Sequence, residues 1–448
     1  FNPETKKWSV EQGRYKILIG ASSRDIKLES DIELKSNDLK IKEKYPKAYI
    51  DADIQNITDK DFETILGAKI PDRELKLEDI TDENTLEQIK NTKVGKYIYE
   101  NEMQRMQELL DKQDVNKATK VMMDIQKPLK KFYEKKSSGY TKKMVDELLD
   151  IAKNNKDNIQ CEFINKYLQY ILKNIKAVFI DIDGTTLNDD GKITEKTKNA
   201  IHECRKKGIR IIIASGRSTN ATLKLQEEFN TSPYLISSNG AAAFDVVQKQ
   251  EILSNEMEKD GVLKLLGYAQ KNNYKISLQY GQEVALNEAF YEDENKMVKD
   301  NNELIEIINT KKIIQCVMCN RNFEKMYEIE KFVQGISNVK IVNKSKRMSN
   351  PDLLPSKSYY CDITSVNSTK GNAVDVVSKY LGLKKNEIVV IGDGENDISM
   401  FKVTPNSIAM GNAVDDIKKE ANFVTDTNNN DGLAKVLEKI LKGQNGNC

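Results

Sequence analysis

A single histidine, His202, and six scattered cysteines are all that 448 residues supply of the side chains most used for metal binding and nucleophilic catalysis. One histidine excludes a histidine-rich zinc site and makes a histidine-based triad untenable, so any catalysis must run on carboxylates, lysine or hydroxyls. Six cysteines in a chain of this length are too few for a disulfide scaffold and fit a reducing, cytoplasmic compartment. Cys316 and Cys319 form a lone CxxC in "KKIIQCVMCN", but positions three apart on a strand face opposite sides, which points to a structural role. Charge of one sign is missing as well. Lys+Arg total 70 against Asp+Glu 69, a net charge of +1 that carries no nucleic-acid or anionic-membrane footprint. Long apolar runs are absent: "IRIIIA", Ile209 to Ala214, has Arg210 inside it and is far too short to span a bilayer. No signal peptide is visible, and the chain begins at Phe1 rather than Met.

What is present has three textures, and the length allows two or three domains. Residues 1–36 read as a β-strand pair, since "GRYKILIGASSRDIKLESDIEL" alternates polar and apolar residues and "GASSRD" supplies a turn. Residues 37–173 read as a polar helical extension with a linker near 152–158. From 174 onward, short β-branched runs alternate with helical segments, which predicts an α/β fold with a doubly wound, parallel, Rossmann-like sheet built from 174–244 and 366–448. Between 245 and 365 the strands are more polar and alternating, as expected of an inserted α+β lobe.

In such a sheet, ligands bind beyond the carboxyl ends of the strands. Four predicted core strands end in polar, small-residue loops: Asp181-Ile182-Asp183-Gly184-Thr185, Ser215-Gly216-Arg217, Ser238-Asn239-Gly240, and Gly392 through Asp397. Carboxylates gathered in one crevice repel each other unless a cation neutralises them, and hard oxygens with room for phosphate suit Mg²⁺. Ser215, glycine-loop N–H groups and Lys370 in "NSTKGNA" are the candidates to hold a phosphoryl group. Each residue also has a plain structural reading: Asp183-Gly184 as a turn pair, Asp397 as a helix N-cap, Ser215-Gly216 as a strand-ending turn, Asn239 as a loop residue. Arg217 faces phosphate or braces its helix. The joint order of the segments on parallel strand ends favours a site.

The ordered set "DIDGT", "ASGR", Lys370 and "GDGEND" resembles the haloacid dehalogenase superfamily of phosphohydrolases, and "SSNGA" with the long insertion before Lys370 resembles its Cof-type branch. The resemblance covers 175–442. It implies that Asp181 is the nucleophile that forms an aspartyl-phosphate and that Asp183 is the general acid and then the base. It implies Mg²⁺ held by Asp181, the main-chain carbonyl of Asp183, and Asp393. It implies phosphate contacts at Ile182, Ser215, Gly216, Lys370 and Asn396, a substrate contact at Asn239, and support from Asp397 behind the metal or Lys370. Only 34 positions separate Asp181 from Ser215, too few for a cap there, whereas 155 separate Ser215 from Lys370 and do hold one. The implied substrate is a small phosphorylated metabolite, a sugar phosphate or phosphorylated cofactor; a phosphomutase or phosphotransferase on the same site is the alternative.

Upstream, "FNPETKKWSVEQGRYKILIGASSRDIKLESDIEL" resembles the last strands of the fibronectin type III-like domain of glycoside hydrolase family 3 β-glucosidases. "FETILGAKIPD" and "NTLEQIKNTKVGKYI" resemble the tail extension of bacterial members. That family's catalytic barrel is not among these residues, so a third alternative is a non-catalytic β-glucosidase piece carrying a passenger phosphatase.

Overall fold

A computed structural model of the chain describes residues 12–22, 25–35, 46–50, 57–67, 69, 75–135, 138–156, 159–288, 297–322, 324–344 and 359–445. The chain divides into two units, Phe1–Glu74 and Leu75–Cys448. In the first, the alternating segment forms an antiparallel hairpin of β1 (Gly13–Ser22) and β2 (Asp25–Leu34), with Tyr15 opposite Ile32 and Ile19 opposite Leu28. Ser23 and Arg24 of the expected turn lie outside the described residues. Ile17, Leu18, Ile19 and Leu28 are exposed, as expected of a two-stranded ribbon, which buries little on its own. A helix, Asp59–Leu66, is closed at its start by a capping box between Thr58 and Asp61 and at its end by Gly67 in the left-handed region.

The second unit begins with helices Lys93–Asp111, Val115–Ile125, Lys142–Lys153 and Glu162–Leu172. Thr92, Asp114 and Thr141 each cap a helix by accepting a hydrogen bond from the N–H three residues on. Their apolar faces, including Val94, Ile98, Val121, Leu148, Phe163 and Ile164, close into one core. Two expectations change here. The polar surface of 37–173 hides an apolar stripe on each helix from 93 onward, so these helices make a packed layer rather than an extension. The expected linker contains a turn at Asn154 and Asn155 between two helices of that layer, pinned by the fully buried Ile159.

The remaining strands, in chain order, are β3 (Ala177–Ile180), β4 (Arg210–Ala214), β5 (Tyr234–Ser237), β6 (Ala242–Asp245), β7 (Gln250–Ser254), β8 (Lys275–Tyr280), β9 (Glu283–Leu286), β10 (Gln315–Asn320), β11 (Val339–Lys344), β12 (Tyr359–Ser365), β13 (Ile388–Gly392), β14 (Ser407–Ala409) and β15 (Phe423–Val424). Eight of them form the central sheet in the order β15-β14-β13-β3-β4-β5-β6-β7. The six from β15 to β5 are parallel, and β6 and β7 add an antiparallel edge. Strand alternation serves both faces: Val178 and Ile180 pack with helices Glu195–Lys206 and Gly432–Asn445, while Ala177 and Phe179 pack with helix Lys370–Tyr380. This is the doubly wound α/β core expected from the sequence.

The inserted lobe is a five-stranded antiparallel sheet, order β11-β12-β10-β8-β9. Helices Lys259–Asn272, Asn301–Thr310 and Glu324–Gln334 cover one of its faces. The lobe begins later than the expected residue 245, because β6 and β7 pair with each other and complete the central sheet through Ser254.

Candidate functional site

Parallel pairing sets the loops after β3, β4, β5 and β13 along one sheet edge. The Asp181 N–H donates to Ile391 O at 3.0 Å, which places the first loop beside Gly392-Asp393. The chain then turns back through Ile182, whose carbonyl accepts from the Thr186 and Leu187 N–H groups, each at 2.9 Å. Gly184 makes this turn at φ +85°, and a Cβ there would lie 2.4 Å from Asp393 Oδ2. Only glycine combines that backbone with such an approach. Thr185 Oγ1 donates to Asp393 Oδ1 at 3.1 Å and so ties the two acidic loops together, while Thr186 Oγ1 donates to Asp181 O at 2.6 Å and closes the first loop on itself.

One oxygen from each of Asp181, Asp393 and Asp397 lies within 4.8 Å of the others, although 212 positions separate Asp181 from Asp393 in sequence. Lys370 Nζ donates to Asp181 Oδ1 at 2.6 Å and to Asp397 Oδ1 at 2.7 Å. These four side chains are nearly withdrawn from solvent, at 6% (Asp181), 8% (Asp393), 0% (Asp397) and 1% (Lys370) exposure. Burial works against the Lys370 charge, but the carboxylates of Asp181 and Asp397 outweigh it and hold the ammonium above the ordinary lysine range. One cation does not balance three buried carboxylates, and the donors are all hard oxygens. The cluster therefore suits a small divalent ion such as Mg²⁺. Asp397 is committed elsewhere: Oδ2 accepts from the Asp393 and Gly394 N–H groups at 3.0 and 2.8 Å, Oδ1 from Lys370. It orients Lys370 and the Asp393 loop, which leaves Asp181 and Asp393 as the carboxylates suited to face an ion.

Asp183 and Arg217 meet across the mouth. Arg217 Nε and Nη2 donate to the two Asp183 carboxylate oxygens at 3.0 and 2.6 Å, a bidentate pair that raises the guanidinium pKa through its hydrogen bond. Of the two roles left open for Arg217, this conformation shows neither; it engages the second aspartate. Ser215 is buried, with Oγ accepting from the Arg217 N–H at 3.1 Å. Gly216 packs so closely on the Asn239 carboxamide that a Cβ would lie 2.9 Å from its Oδ1. Asn239 in turn accepts from Asn396 Nδ2 at 2.8 Å, so two expected phosphate- and substrate-contact residues are linked directly.

Sequence reasoning missed the lobe's contribution. Asn239 Nδ2 donates to Gln315 Oε1 at 3.1 Å and to Asp362 Oδ2 at 2.9 Å, and Gln315 Nε2 donates to Gly216 O at 3.2 Å. Ser238 Oγ donates to Gln279 Oε1 at 2.9 Å. Asp362 is buried on β12, and desolvation pushes its carboxyl up to about 6 despite hydrogen bonds from Asn239 and Asn343. The available signal was strand parity: Gln279, Gln315 and Asp362 are polar residues interrupting apolar strands. Cys316 and Cys319 follow the same parity, Cys316 joining the lobe's apolar core and Cys319 taking the other face; neither is in a disulfide. His202 is an exposed helix residue.

Residues 178–437 match the family described as haloacid dehalogenase-like hydrolase. Curated relatives include the putative phosphatase YxeH of Bacillus subtilis, 26% identical over 281 residues, covering 59% of this chain and 98% of that protein. Another is the 5-amino-6-(5-phospho-D-ribitylamino)uracil phosphatase YcsE of Bacillus subtilis, 25% identical over 267 residues, covering 59% of this chain and 94% of that protein. Among solved structures, a haloacid dehalogenase-like hydrolase from Bacteroides thetaiotaomicron is 25% identical, covers 59% of this chain and 99% of its own, and superposes with a TM-score of 0.51.

Proposed function

Because the chain belongs to the haloacid dehalogenase-like hydrolases, and is thereby an enzyme acting on phosphate esters, we propose that it is a Cof-type, Mg²⁺-dependent phosphatase of a small phosphorylated metabolite. The observation that carries this is the Lys370 ammonium bridging Asp181 and Asp397, with Asp393 alongside, at the carboxyl ends of adjacent parallel strands. Asp181 attacks phosphorus; the bond to the leaving oxygen breaks as Asp183 protonates that oxygen, leaving an aspartyl-phosphate. Asp183, now a carboxylate, takes the proton of the water that hydrolyses this ester. To do so it leaves Arg217. Lys370, Ser215, Asn396 and the backbone of Ile182 and Gly216 hold the phosphate oxygens, and Asn239 orients Asn396 toward the substrate. Mg²⁺, held by Asp181, Asp393 and the main-chain carbonyl of Asp183, would neutralise negative charge between the carboxylates and the phosphate.

The test is phosphate release from p-nitrophenyl phosphate. Asp181→Asn and, separately, EDTA reduce it to background, and Asp183→Asn lowers kcat by at least about a hundredfold. Undiminished turnover in Asp181→Asn overturns the reading. A phosphomutase on the same site is distinguished by an isomerised sugar phosphate accumulating faster than free phosphate.

Residues 174–254 and 366–448 form the core in this reading, with the lobe between them as the cap. We carry residues 1–36 as the fibronectin type III-like segment of a family 3 glycosidase tail, supported by the antiparallel register of β1 and β2. On that reading as a glycosidase piece, hydrolysis of an aryl glucoside is expected to be absent. Among the described residues no helix is long and apolar enough to cross a membrane. Five described cysteines are in no disulfide, and we place the enzyme in the reducing cytoplasm on that ground.

A further inference from the structure

The lobe's sheet has two unlike faces. Ile341, Ile363, Cys316 and Leu278 lie side by side across β11, β12, β10 and β8 and pack against the lobe's helices. The next row, one residue along each strand, is Lys340, Thr364, Gln315 and Gln279, and successive side chains on a strand point to opposite faces. Gln315 and Gln279 from this row bond Gly216, Asn239 and Ser238 in the core, so the row faces the site. Lys340 is therefore on the wall opposite the carboxylate cluster. A cavity of about 220 Å³ lies between lobe and core, lined by Lys340 and Asn343 from the lobe and by Ser368, Lys370, Glu395 and Asn396 from the core.

Three observations show what this cavity is short of. Lys340 is half-buried and forms no ion pair among the described residues, and burial alone depresses its pKa. Lys370, the lysine on the core wall, spends two of its three N–H donors on Asp181 and Asp397. Ser368 Oγ is buried on the same wall with no hydrogen-bond partner. The cavity thus presents a partly desolvated cation on its lobe wall, facing the core wall that carries Lys370 and the orphaned hydroxyl. Glu395, exposed on the core side, suits the hydroxyls of a ligand lying between the two ends.

We propose that Lys340, on the lobe wall across the cavity from Lys370, forms an anion subsite for the leaving group, so that the preferred substrate is a polyhydroxylated phosphomonoester with a second anionic group, carboxylate or phosphate, at its far end. This rests on the phosphatase reading above, because the far end is defined by a phosphate anchored near Lys370. A charge-assisted hydrogen bond to a partly desolvated lysine would favour such substrates by roughly tenfold in kcat/KM.

The experiment compares kcat/KM of the full chain for 6-phosphogluconate, fructose 1,6-bisphosphate, glucose 6-phosphate and p-nitrophenyl phosphate. The wild type is expected to prefer at least one of the first two over glucose 6-phosphate, and which one it prefers tells a carboxylate from a phosphate. Lys340→Met is expected to bring that ratio to near one and Lys340→Arg to keep most of it, with thermal melts confirming that both variants fold. Equal kcat/KM across the sugars in the wild type, or a preference that survives Lys340→Met, overturns the subsite while p-nitrophenyl phosphate turnover leaves the phosphatase standing. No turnover of any of the four overturns both.

Discussion

A carboxylate inside a protein is stable only in the company that pays for its desolvation, and Asp362 has little of it. Its partners are two neutral carboxamides, Asn239 and Asn343, with the Lys370 charge acting at a distance, and its pKa rises from 3.8 to about 6. The sign follows by linkage. Below pH 4 the group is protonated in folded and unfolded chains alike. Between about 4 and 6 the folded chain keeps a proton that the unfolded chain has released, so stability contributed by neutral Asp362 is lost as pH rises. Asp362→Asn removes that loss. By chemical denaturation, the variant should gain on the wild type by about 1–3 kcal/mol between pH 4 and pH 7.5; a difference that does not change with pH refutes the assignment. The residues at the strand ends were legible because each interrupts an apolar run with a chemistry-bearing side chain: Asp181 after "AVFI", Ser215 after "RIIIA", Asp393 after "IVVIG". Asp362 breaks its strand in the same way. Its partner, however, sits 123 positions away, and no local pattern says which face of β12 looks at the core.

Elements here are held close by glycines whose replacement separates two kinds of effect. Gly240 sits at φ +85° after β5, and a Cβ there would lie 2.2 Å from Thr369 O and 2.7 Å from Lys370 N. Gly240→Ala therefore strains the backbone and pushes on the start of the helix that presents Lys370. It should cost at least about 1–3 kcal/mol in stability and lower the rate on p-nitrophenyl phosphate as well. Gly267, within helix Lys259–Asn272, has open space around its Cβ position. Gly267→Ala should raise stability by roughly 0.4–1 kcal/mol and leave the rate alone. Melting curves and turnover measured on the same two variants test both halves. At this scale the sequence was read well: the helical segments expected between the β-branched runs from 174 onward include Glu195–Lys206, Thr219–Glu228 and Gly432–Asn445. The boundary at 245 was misplaced because β6 and β7 are short strands, AAFD and QEILS, whose residues do not say which sheet they join. Pairing, not pattern, assigns them to the central sheet.

Across the second unit, the helical layer and the central sheet share apolar surface. Tyr97 packs edge-on against Phe423 of β15 at 5.0 Å between ring centroids, and its hydroxyl donates to Asn406 Oδ1 at 3.3 Å. Glu108 accepts from Asn386 Nδ2 at 2.8 Å. Strands at a sheet edge need covering, and this layer packs onto the β14–β15 end. Tyr97→Ala should then cost about 3–5 kcal/mol and lower the melting temperature of the phosphatase region itself. If the central sheet melts unchanged while only the helices loosen, the two are not one cooperative unit.

The order of chemistry along the chain, the strand–helix alternation and the presence of an inserted lobe were determined by the sequence alone, since each depends on neighbours within a few positions. What only tertiary structure decided is which long-range partners meet. Examples are the Lys370 bridge, the Asp183–Arg217 pair, the lobe's polar row over the core and the packing of the helical layer's apolar core on Phe423 and Ile408. These contacts join segments tens to hundreds of positions apart. Their energies depend on desolvation and packing, which exist only once the chain has closed on itself.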